Sequence, residues 1–207
     1  MPAEHPSRHR LFAAARKLFA EAGYENTSTS SIAREAGTSE SQLIKHFGGK
    51  AGLLDSIFVD GWAALRPWFD ERLQQAGSPA ERLRMIPRLM IEALGNDPEL
   101  RLLLLLEGRR IRKEGGQAQL MDGFRGLAEL LDRTLAEMAE RGQLREGFSP
   151  EAARAALLGL TEGAMRDQLL AERAGRPATI TVEHIGTLTD LLVDLIQVGT
   201  LSGAGRP

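Results

Sequence analysis

Three clusters of hydrogen-bonding residues lie near the start of the chain: Thr27, Ser28 and Thr29; Ser39, Glu40, Ser41 and Gln42; then Lys45, His46 and Lys50. Hydroxyls, an amide and cations in that order suit a polyanion with an informative edge. Gln pairs with adenine through both arms of its amide, Ser is a less selective partner, and Glu accepts from a cytosine amine. Lys45, His46 and Lys50 follow the leading residues and suit phosphate oxygens, contacts that position a protein without reading sequence. A helix buried in a core has no need of Ser39, Glu40, Gln42 and Lys45. A helix that shows its first turns to something polar does.

Short helices must hold these groups. The spacing predicts a first helix over about 7–22, with Leu11, Phe12, Ala15, Leu18 and Phe19 on one face and Gly23 as a left-handed stop. A second spans about 28–36 and ends at Gly37. A third starts at Ser39, with Gln42 at the capping-box spacing, and ends by Gly48. A short helix, a tight glycine turn and a second short helix with a polar leading face outline a helix-turn-helix. In that motif the second helix lies in the major groove.

The rest of the chain also reads as helical, for about nine helices in all and an all-α fold. One helix is expected over 50–75 and another from Ser78-Pro79 to Leu94. Others are expected from Asp97-Pro98 to Glu114, over 117–141, from Ser149-Pro150 to about 174 and over 181–198. Serine before proline, with Glu81 or Glu151 following, is a helix start. Pro67 and Pro87 are expected to kink or break their helices. Charge and helix length change near residue 50, dividing a small domain, 1–50, from a larger one, 51–207.

The 207 residues carry a formal charge of −2, so any basic surface is local, and no cysteine is present for a disulfide, thiolate metal site or thiol nucleophile. The start is polar, and the longest apolar run, Leu102–Leu106, is too short for a bilayer. A cytoplasmic protein is expected, with no membrane contact and no cofactor.

The stretch from Gly23 to Leu54 resembles the DNA-binding domain of the tetracycline-repressor (TetR) family of transcriptional regulators. The resemblance rests on Gly23-Tyr24, Thr27-Ser28, Ile32-Ala33, Ala36-Gly37, Ser39, Leu43, His46-Phe47, Lys50 and Leu53-Leu54. It implies a homodimer that binds a palindromic double-stranded operator and is released from it by a small, partly apolar effector. Ser30 and Glu40 stand where such proteins often carry basic residues, and Ile44 where they usually have a phosphate-binding Tyr. Those departures imply a weaker or more selective DNA contact.

The resemblance further implies that the larger domain binds ligand and dimerises. Candidate lining is Phe58, Trp62, Met85, Leu89, Leu103, Met121, Phe124 and Met165, with Glu107 as a polar anchor and Arg166 or a cationic ligand as its partner. Ala155, Gly159 and Gly163 are spaced four apart, and Leu188, Leu191 and Leu195 form a stripe. Together these residues suit a four-helix interface between two copies. Ligand binding would shift a population of dimers away from groove-matched spacing. Two rivals stand beside this reading. One is a small-molecule-binding helical protein that has lost specific DNA binding. The other is an enzyme, which the residues disfavour. No nucleophile elbow appears, the histidines are scattered, and Ala51 follows Gly48-Gly49-Lys50 where a phosphate loop needs Ser or Thr.

Overall fold

The computed structural model describes residues 6–107, 111–114, 117–120 and 122–198, with side chains described for 6–106 and 125–198. Among them are nine helices: α1 Pro6–Ala22, α2 Thr29–Glu35, α3 Glu40–Phe47, α4 Lys50–Leu73, α5 Pro79–Gly95, α6 Pro98–Glu107, α7 Asp122–Glu140, α8 Pro150–Arg173 and α9 Val182–Ile196. The architecture is all-α, with one small addition. Strands β1 Ile111–Glu114 and β2 Gln117–Leu120 pair antiparallel, with Ile111 opposite Leu120. The helices expected to 114 and from 117 are thus shorter than predicted. A Gly-Gly pair between the strands in sequence is a hairpin spacing as well as a helix stop.

Serine caps set several of the starts. The hydroxyls of Ser28, Ser78 and Ser149 each accept the amide three residues on, and Pro79 and Pro150 open their helices where no amide partner is needed. Gly48 closes α3 with φ +72°, a left-handed backbone that a side chain resists. At Gly52 the reason for glycine is space, since a Cβ there would stand 1.9 Å from the Phe47 carbonyl oxygen. Pro67 and Pro87 lie inside α4 and α5, and neither breaks its helix. In α5 the neighbours Ile86 and Leu89 are buried, and helix packing offsets the lost backbone bond.

The described residues fall into two compact units. The first runs to Leu65 and resumes over Asp97–Arg125. Its core holds Leu11, Ala15 and Phe19 of α1, Ile32 of α2, Leu43 and Phe47 of α3, Leu53 and Phe58 of α4, and Leu103 of α6. Burying a side chain of that kind is worth roughly 1.5–3 kcal/mol. Arg16 ties α1 to the start of α6 through Asp97 (2.5 Å) and Glu99 (3.3 Å). The second unit takes Arg66–Asn96 and the residues from Gly126. There α5 lies against α8 and α9, with Leu83, Ile86, Leu94, Leu157, Ile185 and Val193 between them. Arg84 reaches Asp194 at 2.5 Å, and Arg154 reaches Asp132 of α7 at 2.7 Å.

Candidate nucleic-acid interface

The turn between α2 and α3 is built from backbone bonds. The Gly37 amide donates to Arg34 and the Thr38 amide to Ala33, with Gly37 at φ +59°. Ser28 and Ser31 form a reciprocal capping box at the start of α2. The box expected at Ser39 and Gln42 forms in one direction: the Gln42 amide donates to Ser39 Oγ at 3.4 Å. A second bond joins Ser39 Oγ to Ser41 Oγ at 2.8 Å.

Leu43 and Phe47 face the core and set the rotation of α3. Ser41 and Lys45 are exposed on the opposite side, and Glu40 and Ile44 are exposed along one flank. Ile44 is 59% exposed, next to Leu43 at 0%. Gln42 and His46, four apart, share a half-buried flank, away from the most open face. The Thr29 hydroxyl donates to Glu40 Oε1 across the turn. Lys45 has no partner among the described residues. Seven lysines and arginines against five carboxylates over residues 6–57 make this stretch basic in a chain of net charge −2.

Three of the predicted contact residues do structural work. Thr27 is buried, and its hydroxyl donates to the carbonyls of Gly23 (2.8 Å) and Leu18 (3.3 Å). A hydroxyl so placed anchors the turn after α1 and cannot reach a phosphate. Lys50 Nζ donates to the Tyr24 carbonyl at 2.9 Å and stands 4.2 Å from the ring centroid. His46 Nε2 shares a 2.9 Å bond with Ser7 Oγ of α1. Lys17 and Glu35 pair at 2.8 Å between α1 and α2. The hydrogen bond, then the charges, raise the lysine and hold the carboxyl below its ordinary range.

Residues 11–57 match the model of the bacterial regulatory proteins of the tetR family. Over that segment the chain is similar to the family's regulators. The chain is 25% identical over 173 residues to the fatty acid metabolism regulator protein of Bacillus subtilis, covering 81% of itself and 89% of the relative. Its fold is that of the fatty acid degradation regulator FadR from Bacillus halodurans, with TM-score 0.71, 21% identity and 96% and 98% of the two chains covered. It is also that of FadR from Bacillus subtilis in complex with stearoyl-CoA, with TM-score 0.68, 21% identity and 90% and 96% covered.

The predicted ligand lining is distributed over both units. Phe58 and Leu103 are buried and Trp62 half-buried in the first. Leu89 and Met165 are buried in the second, where half-buried Met85 borders a cavity of about 310 Å³ with Arg84, Arg88 and Asp190. Another cavity of that unit, about 390 Å³, is lined by Arg66, Asp70, Arg82, Arg133, Thr134 and Glu137 among others. Its arginines are largely occupied: Arg66 holds Asp70 at 2.9 Å, and Arg82 holds Glu137. Met121 and the side chains of Glu107 and Phe124 lie outside the described residues. Arg166, expected as a partner for Glu107, binds Glu162 at 2.9 Å. Glu162 is a buried carboxylate that the sequence reading missed, although a Glu and an Arg four apart on one helix signal such a pair.

The predicted interface residues all face solvent. Ala155, Gly159 and Gly163 are exposed along α8, and Leu188, Leu191 and Leu195 along α9. Nothing stands within 4 Å of where a Cβ would be on Gly159 or Gly163. No helix among the described residues is long and apolar enough to cross a membrane.

Proposed function

We propose that the chain is a homodimeric repressor working in the cytoplasm. Residues 1–50 read a palindromic operator, and residues 51–207 dimerise and bind the effector that releases it. One observation carries the reading: α3 turns Leu43 and Phe47 inward and leaves Glu40, Ser41, Ile44 and Lys45 open. A side chain set of that kind on a helix following a tight turn fits a major groove. The exposed apolar face of α8 and α9 supports pairing through an isologous four-helix contact. We take the effector to be an acyl-chain metabolite. The fatty-acid regulators among the relatives support this.

The test is a salt-titrated binding assay of the full chain against the DNA upstream of its own gene. Specific binding to a short palindrome, weakening steeply with salt, is expected. No specific binding at low salt would leave the small-molecule carrier as the better reading. Long-chain acyl thioesters should raise the melting temperature and release the duplex. Equal operator affinity with and without saturating thioester would remove that effector class.

A further inference from the structure

Glu40 sits badly with a polyanion. It places a carboxylate on the exposed face of a helix that, on the function proposed above, enters a groove walled by phosphates. A bland account is available, since a negative charge in the first turn of a helix complements the backbone dipole. That account explains neither the clamp on the side chain nor its neighbour. The Thr29 hydroxyl, from the first residue of α2, donates to Glu40 Oε1 across the turn. The bond engages Oε1 and so orients the carboxylate. An ionised carboxylate accepts at both oxygens, so Oε2 is left for a donor from outside the chain. In the major groove the cytosine N4 amine is such a donor.

One turn further on, Ile44 is 59% exposed although Leu43 and Phe47 beside it are buried. The i, i+4 relation places Ile44 and Glu40 on the same side of α3. A large aliphatic group open to water on a polar helix has no role in the domain's own core. The one apolar feature on the floor of the major groove is the thymine methyl.

We propose that Glu40, oriented by Thr29, and Ile44 are the specificity-determining pair of the reading helix. Glu40 selects a cytosine and Ile44 a thymine methyl. Four residues of helix advance about 6 Å, and successive bases are about 3.4 Å apart, so the two bases lie within about two steps of each other in each half-site. Thr29 is a positioning residue and touches no base. Lys45, exposed on the side opposite the core, holds phosphate and reads nothing.

The experiment begins with enrichment of duplexes from a randomised library by the full-length wild-type chain. The enriched half-site should contain a cytosine and a thymine within about two positions. Replacing that thymine by deoxyuridine removes only the methyl group. It should weaken wild-type binding about fivefold, the scale of one lost base contact, and leave Ile44→Ala unaffected. Glu40→Gln should lose the preference for cytosine or exchange it for adenine, with the salt slope unchanged. Thr29→Val should blunt the cytosine preference while the melting temperature stays near wild type. Wild-type chain that binds the uridine and thymine duplexes equally, or Glu40→Gln that keeps the cytosine preference, overturns this inference alone. Enrichment of no duplex overturns it together with the function it rests on.

Discussion

Two regions leave large side chains in water, and they do so with opposite chemistry. On α3 the open face carries a carboxylate, a hydroxyl, an ammonium and one isoleucine. On α8 and α9 it carries leucines, alanines and bare glycine backbone. Exposure is common to both, so exposure alone says little. The first set can pair with fixed donors and acceptors, and its apolar member is single and flanked by polar groups. The second set offers area and close backbone approach, which suits a copy of itself.

The largest test breaks the second face. Leu188→Glu with Leu191→Glu should yield monomers by sedimentation and weaken operator binding by about 10²–10⁴-fold, because the second half-site loses its tether. Unchanged sedimentation would show that the face has no partner of its own kind. Next comes a contrast within α3. Leu43→Ala should destabilise the chain by about 2–5 kcal/mol in urea unfolding, whereas Ile44→Ala should change stability by less than about 0.5 kcal/mol. Equal losses would mean that Ile44 is a core residue after all. Ser28→Ala removes the capping box of α2 and should cost about 1 kcal/mol by the same measurement.

The smallest effect is set by acid. The Ile180 amide donates to Asp167 at 2.8 Å and holds its carboxyl below the ordinary value of 3.8, ahead of smaller contributions from Thr179 and Arg176. A carboxyl whose folded pKa is depressed stabilises in its ionised form. The benefit is complete above 3.8 and is lost as pH falls through the lower folded value. The melting temperatures of wild type and Asp167→Ala should therefore differ by a constant amount near neutrality and converge in acid. A gap that widens on acidification would reverse that assignment.

Helix starts and stops were legible because their signals are local. Ser78-Pro79, Ser149-Pro150, Gly37 and Gly48 act within a few residues of themselves. The inward roles of Thr27, His46 and Lys50 were not legible. His46 meets Ser7 and Lys50 meets Tyr24 across gaps of 39 and 26 residues, which no periodicity reveals. The hairpin after α6 was hidden by a Gly-Gly pair that serves two kinds of ending. On α3 the sequence favoured Gln42 for its bidentate amide and treated Ile44 as a defect. Only the helix's rotation, fixed by Leu43 and Phe47, brings Ile44 to the front.

Gly52 remains, pressed so close to the end of α3 that a single methyl would collide with the Phe47 carbonyl. The backbone where α3 gives way to α4 therefore has no room for a side chain at this position. Gly52→Ala would have to displace the turn after Phe47 while leaving every side chain exposed on α3 unchanged.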